Sequence, residues 1–133
     1  MPAHRTRLAA AAAVLALFAP LTAVTTADAG TQEAQGTRTV TIKGVEPNPG
    51  RFFAKGKVRP EYAERGAIMQ RKLRSQSRWR DDFRFETSAA SRYRQRIKPL
   101  RRVGTVCYRV KVNASNGYAR AFSERVCIRT FRG

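Results

Sequence analysis

The sequence predicts an all-β fold, a two-sheet sandwich of about seven antiparallel strands in one domain. Three observations carry that expectation. Short segments alternate apolar and polar side chains with a period of two, no segment shows an apolar stripe at helical spacing, and turn formers separate the segments at roughly ten- to fifteen-residue intervals. A length of 133 residues admits one domain, and 42% apolar side chains suffice for a modest core. The charge is lopsided: 27 Lys+Arg face 9 Asp+Glu, a net +18.

The elements follow in chain order. His4, Arg5 and Arg7 precede an Ala/Leu-rich apolar run from Leu8 to Val24, which ends in Ala27-Asp28-Ala29. Basic start, short apolar centre and small residues at the exit make residues 1–29 an expected export signal, cleaved before Gly30. Losing Arg5, Arg7 and Asp28 with it leaves 25 basic and 8 acidic side chains, a charge of +17, so the basicity belongs to the exported chain. Residues 30–37 (GTQEAQGT) are polar and aperiodic and read as a disordered leader, which places the domain at 38–133. Val40 and Ile42 alternate with Thr39, Thr41 and Lys43 as a first strand, and GVEPNPG at 44–50 reads as a turn. Phe52, Ala54, Gly56 and Val58 face inward on a second strand, which Pro60 closes. Ala67, Met69 and Leu73 mark a third, Trp79, Phe83, Phe85 and Thr87 a fourth with Trp79 in the core, and Tyr93, Gln95 and Ile97 a fifth.

The last two strands carry the two cysteines. Val106, Tyr108, Val110 and Val112 alternate with Thr105, Cys107, Arg109 and Lys111, and Val126, Ile128 and Thr130 alternate with Arg125, Cys127 and Arg129. Asn113–Gly117 is rich in turn formers, so folding about Gly117 brings Cys107 opposite Cys127 on the polar side of a hairpin. In an oxidising compartment that pair closes a bridge. Glu124 would face inward in a strict ladder, which calls for a bulge near Ser123.

The order of pieces resembles the small immunoglobulin-like or fibronectin-III-like domains of secreted proteins in high-GC Gram-positive bacteria. The resemblance rests on a strand ending Val58-Arg59-Pro60, AIMQRKL at 67–73, Trp79 after a short turn, SAASRY at 88–93, and the hairpin YRVKVNASNGYARAFSERVCIRT at 108–130. It covers 38–132 and implies an Ig-like sandwich. Two features depart from the pattern: Ser91-Arg92 replaces the usual Gly before the strand-opening Tyr, and the cysteines join neighbouring strands where antibody domains bridge the two sheets. A fold of this kind hosts many functions and fixes none.

Chemistry is read from the residues. The single His is His4, in the expected signal, so residues 30–133 offer no imidazole for a triad, a general base or a zinc site. Asp81, Asp82 and Glu86 do not converge on one strand face, and no metal site, cofactor or enzymatic activity is expected. The remaining signal is positive charge in rows on outward strand faces: Arg92, Arg94, Arg96 and Lys98; Lys55, Lys57 and Arg59; and Arg109, Lys111, Arg125 and Arg129. Alternate positions on a strand lie about 7 Å apart, a spacing comparable to successive phosphates of a polyanion. Arg109 and Arg125 would be direct cross-strand neighbours, a repulsion that an anion relieves. The expected function is a secreted, extracellular or cell-wall-associated binding module for polyanions such as teichoic acid, DNA or heparin-like chains, monomeric and with no membrane span after export. The alternatives are a protease inhibitor presenting Arg59–Arg65 and a structural or adhesive module. GC-driven codon usage is the competing account of the 19 Arg against six Lys in the exported chain.

Overall fold

The computed structural model describes residues 36–133, which are all-β with no helix. The expected signal peptide and residues 30–35 of the leader lie outside the described residues. Among those described, no helix is long and apolar enough to cross a membrane.

Eleven strands run in order among the described residues: β1 (Gly36–Thr37), β2 (Thr39–Val40), β3 (Lys43–Asn48), β4 (Arg51–Arg59), β5 (Gly66–Leu73), β6 (Arg80–Glu86), β7 (Arg92–Ile97), β8 (Gly104–Val112), β9 (Tyr118–Ala119), β10 (Ala121–Phe122) and β11 (Val126–Thr130). In the smaller antiparallel sheet β2 and β3 pair in succession along one edge of β4, and β7 pairs along the other. In the larger the order is β6–β5–β8, with β10 and β11 in succession along the far edge of β8. Counting each interrupted strand once, the two sheets have seven strand positions.

Alternation fixes which side of each strand is buried. Val40, Ala54, Val58 and Ile97 of the smaller sheet share one cluster with Met69, Phe85, Val106, Val110 and Val112 of the larger, so the sheets stack face to face in a sandwich-like arrangement. Each fully buried side chain of this kind contributes about 1.5–3 kcal/mol of transfer free energy. The Tyr108 hydroxyl spans the layers, donating to the Lys98 carbonyl at 2.8 Å and accepting from the Lys98 amide at 3.3 Å.

The leader is ordered further upstream than composition suggests. Gly36 and Thr37 pair in parallel with Tyr118 and Ala119, and Arg38, 3% exposed, lies between the Tyr62 and Tyr118 rings at 4.9 and 4.4 Å. Its guanidinium donates to the Ser115 carbonyl and hydroxyl, so cation–π and hydrogen-bond contacts tie the start of the domain to the loop after β8.

Three irregularities reshape the expected strands. Residues 44–48, expected as turn, belong to β3, and only Pro49 and Gly50 turn the chain. Pro47 is tolerated because β3 is an edge strand, and Glu46 caps the turn by accepting from the Gly50 amide at 2.8 Å. In β6 the register jumps from Met69↔Phe83 to Gln70↔Asp81, leaving Asp82 as the extra residue of a bulge. Trp79 therefore leaves the parity of Phe83 and Phe85 and lies on the outward face, half-buried, against Arg109 and Lys72, which corrects its expected place in the core. Between β10 and β11 the chain bulges at residues 123–125, as Glu124 demanded. The Ser123 amide donates to the Val110 carbonyl, its hydroxyl accepts from the Val110 amide, and Glu124 stays exposed.

Cys107 and Cys127 are direct partners in the β8–β11 ladder and form the expected disulfide, with Cα atoms 4.0 Å apart. Cys107 is only 1% exposed despite its place on the outward side, because β5 flanks it with Lys72, whereas Cys127 is exposed.

Candidate polyanion interface

The outward side of the smaller sheet collects cations from three strands. The register sets Lys43 of β3 beside Lys55 of β4, and Lys55 beside Arg94 of β7, so one row crosses the whole sheet. Lys57 and Arg92 form the next row and Val45, Phe53 and Arg96 the one on the other side. Directly opposed Cβ atoms in such rows are about 4.5–5.5 Å apart, so like charges repel at short range. Arg94 offsets part of this by stacking its guanidinium on the Phe53 ring at 4.4 Å.

A groove of about 580 Å³ opens among Lys43, Lys55, Lys57, Arg92 and Arg94, with Ser88 on its wall and a mainly apolar floor that includes Ile42, Gly56 and Tyr93. The break between β2 and β3 creates it. At Thr41 the chain leaves the ladder and turns its carbonyl into the space above Gly56, where the Tyr93 hydroxyl donates to it at 2.5 Å. Burial pushes the Tyr93 phenol well above its ordinary range, so it remains a donor. Thr41 also exchanges bonds with the backbone of Lys57: its amide donates to the Lys57 carbonyl and its hydroxyl accepts from the Lys57 amide, both at 2.9 Å. Lys57 is thereby held at the groove by its main chain.

Counter-charge is scarce. The ion pair found among the described residues is Lys111–Asp81 at 3.1 Å, on the other sheet, so the five groove cations have no carboxylate within ion-pair distance. Glu46 lies by an adjoining recess with Lys55 and Arg94 and spends an oxygen on the Gly50 amide.

The expected site residues divide. Lys55, Lys57, Arg92 and Arg94 meet at the groove, Arg96 adjoins them, exposed Arg59 ends β4 opposite Thr39, and Lys98 follows β7 with its backbone clamped by Tyr108. The larger sheet holds the rest. Arg109 lies over Trp79 at 4.5 Å and Phe122 at 4.1 Å, and its Nε donates to Gln70 at 2.8 Å. Gln70 donates onward to Asp81 at 2.7 Å, and Lys111 pairs with the same carboxylate. The Gln70 bond and then Lys111 pull the Asp81 carboxyl below its ordinary range, while desolvation pulls Arg109 down. Arg109 and Lys111 are thus committed to their own sheet. Arg125 lies in the bulge between β10 and β11, where Glu124 and Arg125 together face the single residue Arg109, so the expected Arg109–Arg125 ladder pair is not formed. Arg129 stacks on Phe131 at 4.9 Å.

Two groove residues escaped the sequence reading as site residues. Lys43 was visible as an outward strand position, but only the β3–β4 register reveals its row with Lys55 and Arg94. Ser88 follows β6 with no periodic signal. The loop at 59–65, the alternative inhibitory segment, is fastened inward: Tyr62 is buried, its amide donates to Ser91 Oγ, and the Thr87 hydroxyl donates to its carbonyl. Scans against protein-family models, curated proteins and solved structures find no match for the chain.

Proposed function

We propose that the protein is a secreted, non-catalytic, Ig-like module that binds anionic polymers along the β3–β4–β7 face. The Lys43–Lys55–Arg94 row, backed by Lys57 and Arg92 and lacking carboxylate partners, carries the reading. A groove walled by cations on three adjacent strands suits a linear polymer of phosphates or sulfates, such as a teichoic acid, a nucleic acid backbone or a heparin-like chain. Nothing along it resembles a base-reading element, so binding is indifferent to sequence. The Ig-like assignment is supported by the strand order of the two sheets, three positions against four, and the export assignment by a disulfide suited to an oxidising compartment.

The test is salt-dependent binding of a DNA duplex, with inorganic polyphosphate in parallel. If the five groove cations and Arg96 each neutralise one phosphate, affinity falls roughly a thousandfold between 50 and 200 mM salt. Lys55→Ser, Arg92→Ser and Arg94→Ser together flatten the slope of log affinity against log salt by about 2.7 units. Arg109→Ser leaves the slope in place, since Arg109 is engaged elsewhere. Undetectable binding to either polymer at 50 mM salt, or an unchanged slope in the triple variant, overturns the proposal.

A further inference from the structure

A second patch lies away from the groove. Three large apolar side chains are well exposed among the described residues, and two of them, Val103 at 58% and Phe131 at 69%, occupy the same end of the larger sheet. The β8–β11 ladder ends with Thr130 opposite Gly104, and Phe131 and Val103 are the residues that directly adjoin this last pair. The Thr130 hydroxyl donates to the Leu100 carbonyl at 3.0 Å and the Arg74 amide to the Thr105 carbonyl at 3.0 Å, which fasten the neighbouring loops around this tip. Arginines are concentrated at this end of the sheet. Arg74 and Arg102 share a recess with Val103, Arg129 stacks on Phe131, and Arg101 and Arg132 are exposed neighbours in the chain. Among the described residues, none has a carboxylate within ion-pair distance.

We propose that this tip docks on an anionic lipid bilayer, with Val103 and Phe131 entering the interface and the arginines meeting lipid phosphates. The combination selects the occupant. Val103 and Phe131 are exposed, and an exposed apolar side chain gains little from a hydrated polyanion, whereas at a bilayer it leaves water. The arginines beside those two side chains call for negative charge next to the apolar surface. Each basic side chain held at an anionic leaflet raises partitioning roughly fivefold, and one valine and one phenylalanine alone would not hold the chain. Docking is therefore peripheral, reversible and dependent on anionic lipid. It stands independently of the groove, whose residues lie on the other sheet.

The exported protein, its intact mass confirming loss of residues 1–29, is sedimented with phosphatidylglycerol-containing and with pure phosphatidylcholine vesicles. Binding to the anionic vesicles only is expected, with a loss of about tenfold or more in Val103→Ser/Phe131→Ser. That variant keeps wild-type polyphosphate affinity, while Lys55→Ser/Arg92→Ser/Arg94→Ser loses it and keeps vesicle binding, so failure of the groove and failure of the tip are told apart. A Phe131→Trp variant, read as a difference from wild type, shifts its emission to shorter wavelength with anionic vesicles; this readout is local and serves equally in the full chain. Vesicle binding that ignores the serine pair, an unshifted Phe131→Trp spectrum, or a concentration-dependent dimer abolished by the serine pair in place of vesicle binding overturns the proposal.

Discussion

Gly56 is the position where one added methyl group does most damage. A Cβ built there lies 1.9 Å from the Thr41 carbonyl oxygen, 2.7 Å from the Thr41 carbonyl carbon and 2.7 Å from the Tyr93 hydroxyl. Two of these atoms are backbone, so no rotamer change relieves the overlap. Either the β2–β3 connection lifts away or β4 is displaced. Overpacking of this kind costs about 1–3 kcal/mol. Lifting Thr41 also breaks the bond from the Tyr93 hydroxyl, whose buried donor is then unpaired at a further cost of about 1–3 kcal/mol. Gly56→Ala is therefore expected to lose roughly 2–6 kcal/mol in denaturant unfolding, a large part of the 5–15 kcal/mol typical of a domain. Since the Thr41 carbonyl also shapes the groove, the surviving folded protein should bind polyphosphate more weakly. Gly66→Ala is the control. It is also in a strand, but its Cβ meets nothing within 4 Å, and it should be neutral or more stable by about 0.5–1 kcal/mol. Equal stability of the two variants would refute the reasoning, as would Gly56→Ala with unchanged midpoint and unchanged binding.

Three further outcomes follow from the geometry. Cys107→Ser/Cys127→Ser opens a loop with a sequence separation of 20 and should lower stability by about 3 kcal/mol in the chain-entropy model, with native protein showing no titratable thiol; two reactive thiols in the native state contradict it. Trp79→Ala should cost about 1–2 kcal/mol, as expected for a half-buried ring stacked with Arg109 and Lys72, not the 3–5 kcal/mol of a core aromatic; urea unfolding separates the two. The Asp81 carboxyl is held below its ordinary range, first by Gln70 and then by Lys111, so its contribution is present above the unfolded-state value and lost as pH falls through the lowered folded-state value. Acid titration of stability should therefore flatten in Asp81→Asn, and identical acid profiles for the two proteins would contradict it.

Much of this architecture is legible before any coordinates. β4, β7 and β8 are half-buried strands whose inward and outward residues alternate without interruption, and the parity of Ala54 and Val58, of Tyr93 and Ile97, and of Val106 through Val112 reads directly from the chain. The cysteine pairing is readable because both cysteines stand at the same outward parity on the two strands of one hairpin, although the sum of paired residue numbers rises by one from β10 to β11. Bulges defeat the same procedure. Periodicity counts residues, whereas burial follows ladder pairs, so the extra Asp82 sends Trp79 to the other face with no change in composition to announce it. β3 hides for a different reason: Gly44 and Pro47 are turn formers by propensity, and only the pairing with β4 makes them strand. The candidate site was legible as rows along single strands. Which rows lie side by side depends on turn lengths and bulges far apart in the chain, and that decided between Lys43–Lys55–Arg94 and the opposition of Arg109 and Arg125.

β7 has a second consequence. It pairs with β4 alone, so along its other edge, among the described residues, its N–H and C=O groups meet no strand. An unpaired edge is a template on which another molecule can extend the sheet, and proteins guard such edges with charge, proline or bulges. Here β7 carries Arg92, Arg94 and Arg96 at alternate positions, β3 carries Pro47 and an irregular register, and β6 carries the Asp82 bulge. Two of the three arginines that guard β7 also line the groove, so a bound polymer that neutralises them disarms the guard. On the proposed polymer binding, turbidity is expected to follow the stoichiometry of charge: clear solutions with protein or polymer in excess, turbid ones where the two balance, through edge-to-edge growth that strong salt reverses by releasing the polymer.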